Sequence, residues 1–136
     1  MNDCYCDYGE APSVLCITHP TARKPHRCDE CSGTIESGQK YERIFGVWEG
    51  AAGTFKCCHE CEAARDFLTN SFECFCWYLG GVIDAARELI QEKGHLILEE
   101  SPGVLFQVGR LGVAWRRRRK AGMAEREARR ATLQDA

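Results

Sequence analysis

Hydrophobic and polar positions in the first half of the chain predict a β-hairpin followed by a helix. Residues 41–48 are rich in β-branched and aromatic side chains, and residues 49–53 contain two glycines that predict a turn. Residues 54–57 predict the returning strand, and residues 58–68 a helix. Residues 1–27 lack helical or strand periodicity and are interrupted by prolines, so we expect an irregular N-terminal arm there.

The second half of the chain begins with apolar residues at helical spacing. This stripe, from residue 82 to residue 90, predicts a core-facing helix that Gly94 ends. Residues 95–98 and 104–108 flank a Ser-Pro-Gly turn, which predicts a second, short hairpin. The basic, alanine-rich segment 111–133 predicts one long C-terminal helix.

Ten of the 136 residues are cysteine, which is far above ordinary usage. The chain shows no basic and apolar leader segment and no apolar run long enough to span a membrane. We therefore expect a protein without a membrane partner, whose thiols stay reduced and act as metal ligands before disulfides.

Two C-x-x-C pairs give the strongest chemical signal. Cys28 and Cys31 form the first pair, and Cys58 and Cys61 form the second, in the first turn of a predicted helix. Each pair can bring two sulfurs to one metal ion, and a helix N-terminus favours thiolate. Four sulfurs leave no position for substrate, so the sequence predicts a structural Zn²⁺ rather than a catalytic one.

A second zinc ion is predicted from two C-x-C pairs, with separate buried thiols as the alternative. The cysteines of these two pairs are Cys4, Cys6, Cys74 and Cys76. Cys16 and His19 form a competing pair that is more often incidental. Cys57 is expected to be a packed strand residue.

Together these elements predict an α+β fold built on a treble-clef zinc module, in which a knuckle, a hairpin and a helix hold the metal. We expect residues 1–94 to form this module with its N-terminal arm and a supporting helix. Residues 95–136 are expected to contain the second hairpin and the basic helix.

Charge is distributed unevenly along the chain. Residues 1–109 carry a net charge of −8 and residues 110–136 a net charge of +6. The predicted partner-binding residues of the basic segment are Trp115, Arg116, Arg117, Arg118, Arg119 and Lys120. Such a run suits an acidic protein surface or phosphate backbones, and a solvated helix is the alternative. Because its alanine face buries little area, we expect this helix to dock a partner and to lie outside the core.

Catalysis has little support in the sequence. The predicted hairpin contains no histidine, which a nuclease built on a treble clef would need. Nucleophile-elbow, metalloprotease, zinc-deaminase and phosphate-loop motifs are also absent. His26 and His59 stand beside predicted ligands and are expected to support the site or to be exposed.

Several of these features together resemble a group of small zinc proteins encoded by bacteriophages and prophages. The resemblance covers residues 4–80 and is carried by the run 22–31, both C-x-x-C pairs, both C-x-C pairs, and the glycine and aromatic positions between ligands. Most of that group has no assigned activity. The resemblance implies a phage protein that acts in a bacterial cytoplasm.

The leading functional hypothesis is a non-enzymatic, zinc-stabilised protein that binds a host or phage protein and inhibits or redirects it, as in host takeover or anti-defence. The second is a nucleic-acid-binding accessory protein that uses the arginine-rich helix. The third is a nuclease-like enzyme. Salt dependence separates the first two, because phosphate contacts make binding fall steeply with salt.

Overall fold

The computed structural model of the chain describes residues 12–72 and 74–134. They form an α+β fold with two small antiparallel sheets and three helices. The strands are β1 (Val14–Thr18), β2 (His26–Arg27), β3 (Thr34–Ile35), β4 (Tyr41–Trp48) and β5 (Ala51–Cys58). The helices are α1 (His59–Ser71), α2 (Val82–Glu100) and α3 (Pro102–Gln134).

The predicted hairpin and the helix after it are confirmed. β4 pairs with β5 along its whole length, from Tyr41 opposite Cys58 to Trp48 opposite Ala51. The turn is shorter than predicted, because Glu49 and Gly50 both adopt left-handed backbone conformations, with φ of 51° and 80°. Two consecutive residues of this kind give the tight turn whose twist matches an antiparallel pair.

Part of the predicted irregular arm is a strand. β1 lies at the edge of the three-stranded sheet and pairs with β4, from Val14 opposite Val47 to Thr18 opposite Arg43. All five β1 residues are exposed, so the strand has no buried face. Its sequence therefore shows no alternation of apolar and polar residues. Backbone pairing to β4 defines this strand, and that pairing leaves no trace in hydrophobic periodicity.

The predicted second hairpin is wrong, and so is the helix end at Gly94. α2 continues through Gly94 to Glu100, and α3 begins at Pro102 and runs without a break to Gln134. Short apolar runs such as 95–98 and 104–108 do not distinguish a strand from a buried helix turn. Pro102 fits the first turn of a helix, where its missing N–H costs nothing. The division into two domains at residue 94, which falls within α2, stays a prediction.

α3 belongs to the folded body, contrary to the expectation that it lies outside the core. Its Val108 and Trp115 side chains are buried in the same apolar cluster as Val82 and Ala86 of α2. Trp115 is only 6% exposed. Because a buried tryptophan contributes a large apolar area, the basic helix is anchored at this residue.

A buried ion pair joins β4 to α1. Both guanidinium Nη atoms of Arg65 donate to the carboxylate of Glu42, at 2.8 and 2.7 Å. Arg65 also lies over the ring of Trp77, at 4.9 Å from its centroid, which ties in the segment before α2. Both charged residues are buried, so each depends on the other for compensation.

We predict that Glu42→Ala destabilises the protein by about 3–5 kcal/mol, because it leaves the Arg65 cation buried without its counterion. Urea unfolding of the zinc-loaded protein measures the change. Arg43→Ala, at the neighbouring exposed position of β4, is the control and should cost no more than about 0.5 kcal/mol. Equal effects of the two substitutions would contradict a dominant role for the ion pair.

Candidate metal centre

The first cysteine pair is held by a tight turn between β2 and β3, the knuckle, which spans residues 28–33. The Cys28 N–H donates to the Gly33 carbonyl at 2.9 Å, and the Ser32 N–H donates to the Cys28 carbonyl at 3.0 Å. Ser32 is left-handed, with φ of 61°, and the Gly33 N–H then points at Cys31 Sγ from 3.3 Å. The turn thus aims both sulfurs to one side and supplies an amide donor to one of them.

The second pair lies where β5 passes into α1. Cys58 is the N-cap residue of α1, and Cys61 lies in its first turn. The Cys58 N–H donates to Cys28 Sγ at 3.3 Å, so the backbone at the helix start already contacts the first pair. The positive end of the helix dipole lies beside the sulfurs and favours their ionised form.

The knuckle and the helix start bring the four thiols into one cluster. Their Sγ atoms all lie within 4.8 Å of one another, and Cys31 Sγ is 3.9 Å from Cys58 Sγ. A regular tetrahedron of sulfurs at the usual Zn–S distance has edges of about 3.8 Å. All four cysteines are 0–2% exposed. The cluster can therefore bind one metal ion, and its size, donor type and closure are consistent with zinc.

Without metal, the pKa values of these thiols are shifted in opposite directions. Thiols around Cys28, that of Cys31 foremost, hydrogen-bond to its thiolate and push its pKa far below the ordinary value. The pKa values of Cys58 and Cys61 are raised, because their thiols donate to that same charged sulfur. A divalent cation would displace the protons that the thiols retain.

Arg118 of α3 lies directly against this cluster. Its Nη1 is 2.6 Å from Glu60 Oε2, and its side chain passes over Gly33, where an added Cβ would lie 3.2 Å from Arg118 Cβ. Burial opposes the charge, but the bond to Glu60 and the electrostatic effect of the nearby Cys58 and Cys31 sulfurs raise the pKa of Arg118. The guanidinium would thus offset part of the negative charge that four thiolates would retain around a bound Zn²⁺.

α3 also packs against the knuckle backbone one turn further on. A Cβ on Gly122 would lie 2.4 Å from the Ser32 carbonyl oxygen, so only glycine allows this approach. Arg126 Nη2 donates to that same oxygen at 2.8 Å. Thr34 donates to the Glu125 carboxylate at 2.7 Å, which adds a third link between α3 and the knuckle region.

The structure divides the predicted partner-binding run into two groups. Trp115 and Arg118 face the body, whereas the other four members are exposed, and these are Arg116, Arg117, Arg119 and Lys120. Sequence reasoning missed the role of Arg118, Gly122 and Arg126 at the metal centre. A signal was present, since Trp115 and these three residues are separated by three, four and four positions, which places them on one helix face.

The predicted second zinc site stays a prediction. The sulfurs of Cys74 and Cys76 lie 3.3 Å apart, and both residues are half-buried. Their predicted co-ligands Cys4 and Cys6 lie outside the described residues.

The competing pair, Cys16 and His19, takes a different arrangement from a metal site. Cys16 is exposed on β1. His19 Nε2 is 2.8 Å from Glu62 Oε1 and 4.0 Å from Glu42 Oε2. His19 and the two carboxylates lie close enough together for a metal, but the Arg65 guanidinium already compensates the Glu42 charge. The cluster is accounted for without an ion.

The other residues beside the ligands behave as the sequence indicated. Cys57 is buried, and its thiol lies 3.5 Å from the Cys58 carbonyl oxygen. His59 is exposed. His26 Nδ1 is 3.1 Å from Lys56 Nζ, and burial together with the Lys56 charge lowers the pKa of His26.

No protein-family model, curated protein or solved structure matches this chain. The cysteine cluster is therefore identified by its own geometry, and membership of the phage-encoded group stays a prediction. None of the helices that the structure describes is long and apolar enough to cross a membrane.

We predict that Cys61→Ser abolishes zinc binding and largely unfolds the protein, because apparent zinc binding in such sites contributes about 10–16 kcal/mol. Elemental analysis should give at least one zinc per wild-type chain, and circular dichroism reports folding. Cys16→Ser changes an exposed thiol and should leave both measurements unchanged. A folded, zinc-free Cys61→Ser protein would contradict the assignment.

We predict that Gly122→Ala destabilises the zinc-loaded protein by about 1–3 kcal/mol, because the new methyl group meets the Ser32 carbonyl. The zinc should also be lost at lower chelator concentration, as the knuckle shifts. Gly109→Ala is the matched control, since its Cβ meets nothing within 4 Å. That substitution should stabilise α3 by about 0.5–1 kcal/mol, and opposite signs for the two variants are the expected result.

Proposed function

We propose that this chain is a non-enzymatic, zinc-stabilised protein that binds another protein. In this proposal residues 26–71 form a treble-clef module, with β2 and β3 carrying the knuckle, β4 and β5 the hairpin, and α1 the second cysteine pair. The burial of all four thiols supports a structural zinc, because no coordination position faces solvent where a substrate could enter.

The observation that carries the proposal is the cationic face of a helix fixed to a rigid body. Arg116, Arg117, Arg119 and Lys120 are exposed, while Trp115 and Arg118 anchor the same turns of α3. A helix backbone already held in place loses little further conformational entropy on binding. The positive charge of this helix face suits an acidic surface on the partner, and long-range electrostatic attraction would bring the two surfaces together.

The resemblance to phage-encoded zinc proteins supports a specific setting for this binding. The partner would be a host or phage protein in a bacterial cytoplasm, and the zinc protein would inhibit or redirect it. Small size and a metal-stabilised core suit this role, because the chain needs little buried apolar area of its own to fold.

Nucleic-acid binding is the second candidate, since the same exposed arginines could contact phosphates. The net charge of −8 on residues 1–109 opposes it, because that part of the body repels a polyanion at short range. Random duplex DNA tested at increasing salt separates the two functions. Tight binding that falls steeply between low and physiological salt would favour nucleic acid over protein.

We predict that the double substitution Arg117→Glu/Lys120→Glu reduces capture of a protein partner from bacterial lysate by about tenfold or more at physiological salt, because it reverses the charge that attracts the partner. Quantitative mass spectrometry of the captured proteins measures the loss. Arg129→Glu/Arg130→Glu makes the same change in net charge at exposed α3 positions outside the run and is the control. Equal losses would mean that net charge, and not this face, governs binding.

A further inference from the structure

α2 and α3 enclose an open groove of about 490 Å³. Its walls are mainly apolar, with Ile83 and Ile90 on one side and Leu105 on the other. These three side chains are only half-buried, so both walls keep apolar surface open to an occupant. A concave surface lined by apolar side chains is more often a binding site than a surface with scattered exposed apolar residues is.

The groove has the shape of a helix-binding site. Its lining positions run along α2 from Ile83 to Gln91 and along α3 from Leu105 to Arg119. On each helix they recur every three or four residues with a few adjacent pairs, so each helix presents a continuous seam. The α3 seam extends over about 21 Å at 1.5 Å per residue. The α2 seam extends over about 12 Å. Two elongated seams of this kind match a third helix better than a compact small molecule.

Two glycines in the groove leave the α3 backbone open. A Cβ on Gly109 or Gly112 would meet nothing within 4 Å, although both positions lie inside a helix that alanine would favour. Gly122 on the same helix is different, because there the chain itself requires the missing side chain. Packing within the described residues therefore does not require Gly109 and Gly112, whereas close approach of another helix would.

The charges at the groove select an acidic occupant. Arg116 and Arg119 line it, are exposed, and make no ion pair within residues 12–72 and 74–134. Arg87 also lines it and has only an exposed pair with Asp84 at 3.6 Å. No acidic residue is among the described residues of its lining. Acidic side chains beside an apolar stripe would therefore meet three arginines and no acidic residue of the described lining.

We propose that this groove binds an amphipathic α-helix of the partner protein, with its apolar stripe against the helix seams and glutamate or aspartate side chains beside Arg116 and Arg119. The inference rests on the proposed protein-binding function and names its partner chemistry. The partner helix would complete a three-helix arrangement with α2 and α3, and its backbone would approach α3 at Gly109 and Gly112.

The test uses two fluorescently labelled synthetic peptides of five helical turns, about 18 residues each. Both carry the same leucine stripe, which is flanked by glutamates in one peptide and by lysines in the other. Fluorescence anisotropy with the zinc-loaded full chain should show binding of the glutamate peptide and at least about tenfold weaker binding of the lysine peptide. Equal binding of the two peptides, or none, would overturn the proposal.

Alanine substitutions of the groove glycines separate binding from stability. The double variant Gly109→Ala/Gly112→Ala should raise the Tm, because alanine favours the helix, and should weaken binding of the glutamate peptide by about tenfold or more. Gly103→Ala is the control, since its Cβ also meets open space but lies outside the groove. It should leave binding unchanged, and unchanged binding in the double variant would overturn the proposal.

Other occupants give distinct outcomes. Concentration-dependent dimerisation in light scattering that Gly112→Leu abolishes would assign the groove to a second copy of this chain and overturn the proposal. Binding to phosphatidylglycerol vesicles that Gly112→Leu abolishes, without peptide binding, would overturn it in favour of a lipid. If the glutamate peptide fails while lysate capture still depends on Arg117 and Lys120, which lie outside the groove, the groove proposal fails and the protein-binding function stands.

Discussion

The gathering of four buried thiols into one cluster that can bind a divalent cation is the constraint on which the rest of this structure depends. The cysteines come from two local structures, a knuckle and a helix start, that share few apolar contacts of their own. Bound zinc would join them with a strength that burial of so small a core does not supply. The thiols also dominate the interior, since Cys28, Cys31, Cys58 and Cys61 are among the most buried side chains.

The C-terminal helix extends this constraint to the whole chain. α3 contributes the Arg118 guanidinium beside the sulfurs, and its backbone touches the knuckle at Gly122. The same helix buries Trp115 against the supporting elements and turns its remaining basic residues outward. One helix therefore links the electrostatics of the metal centre to the surface on which binding is proposed.

What the sequence could predict was local. Ligand spacing identified the four cysteines, and strand propensity identified β4 and β5, because each depends on residues close together in the chain. β1 was missed because an exposed edge strand carries no burial pattern. The α2–α3 pair was mistaken for a hairpin because its short apolar runs fit either structure. The inward position of Arg118 was missed because the run of five basic residues obscures the three- and four-residue spacing that places Arg118 on the same helix face as Trp115.

The bond from Arg126 to the Ser32 carbonyl spans 94 residues, and it has a consequence for the order of folding. During synthesis, residues 28–61 leave the ribosome early and can gather their ligands while α3 has yet to be made. α3, which covers the cluster, is translated after these residues, so the nascent chain can assemble the sulfurs before they are covered. A metal ion could therefore enter the cluster during this interval, which ends when α3 docks.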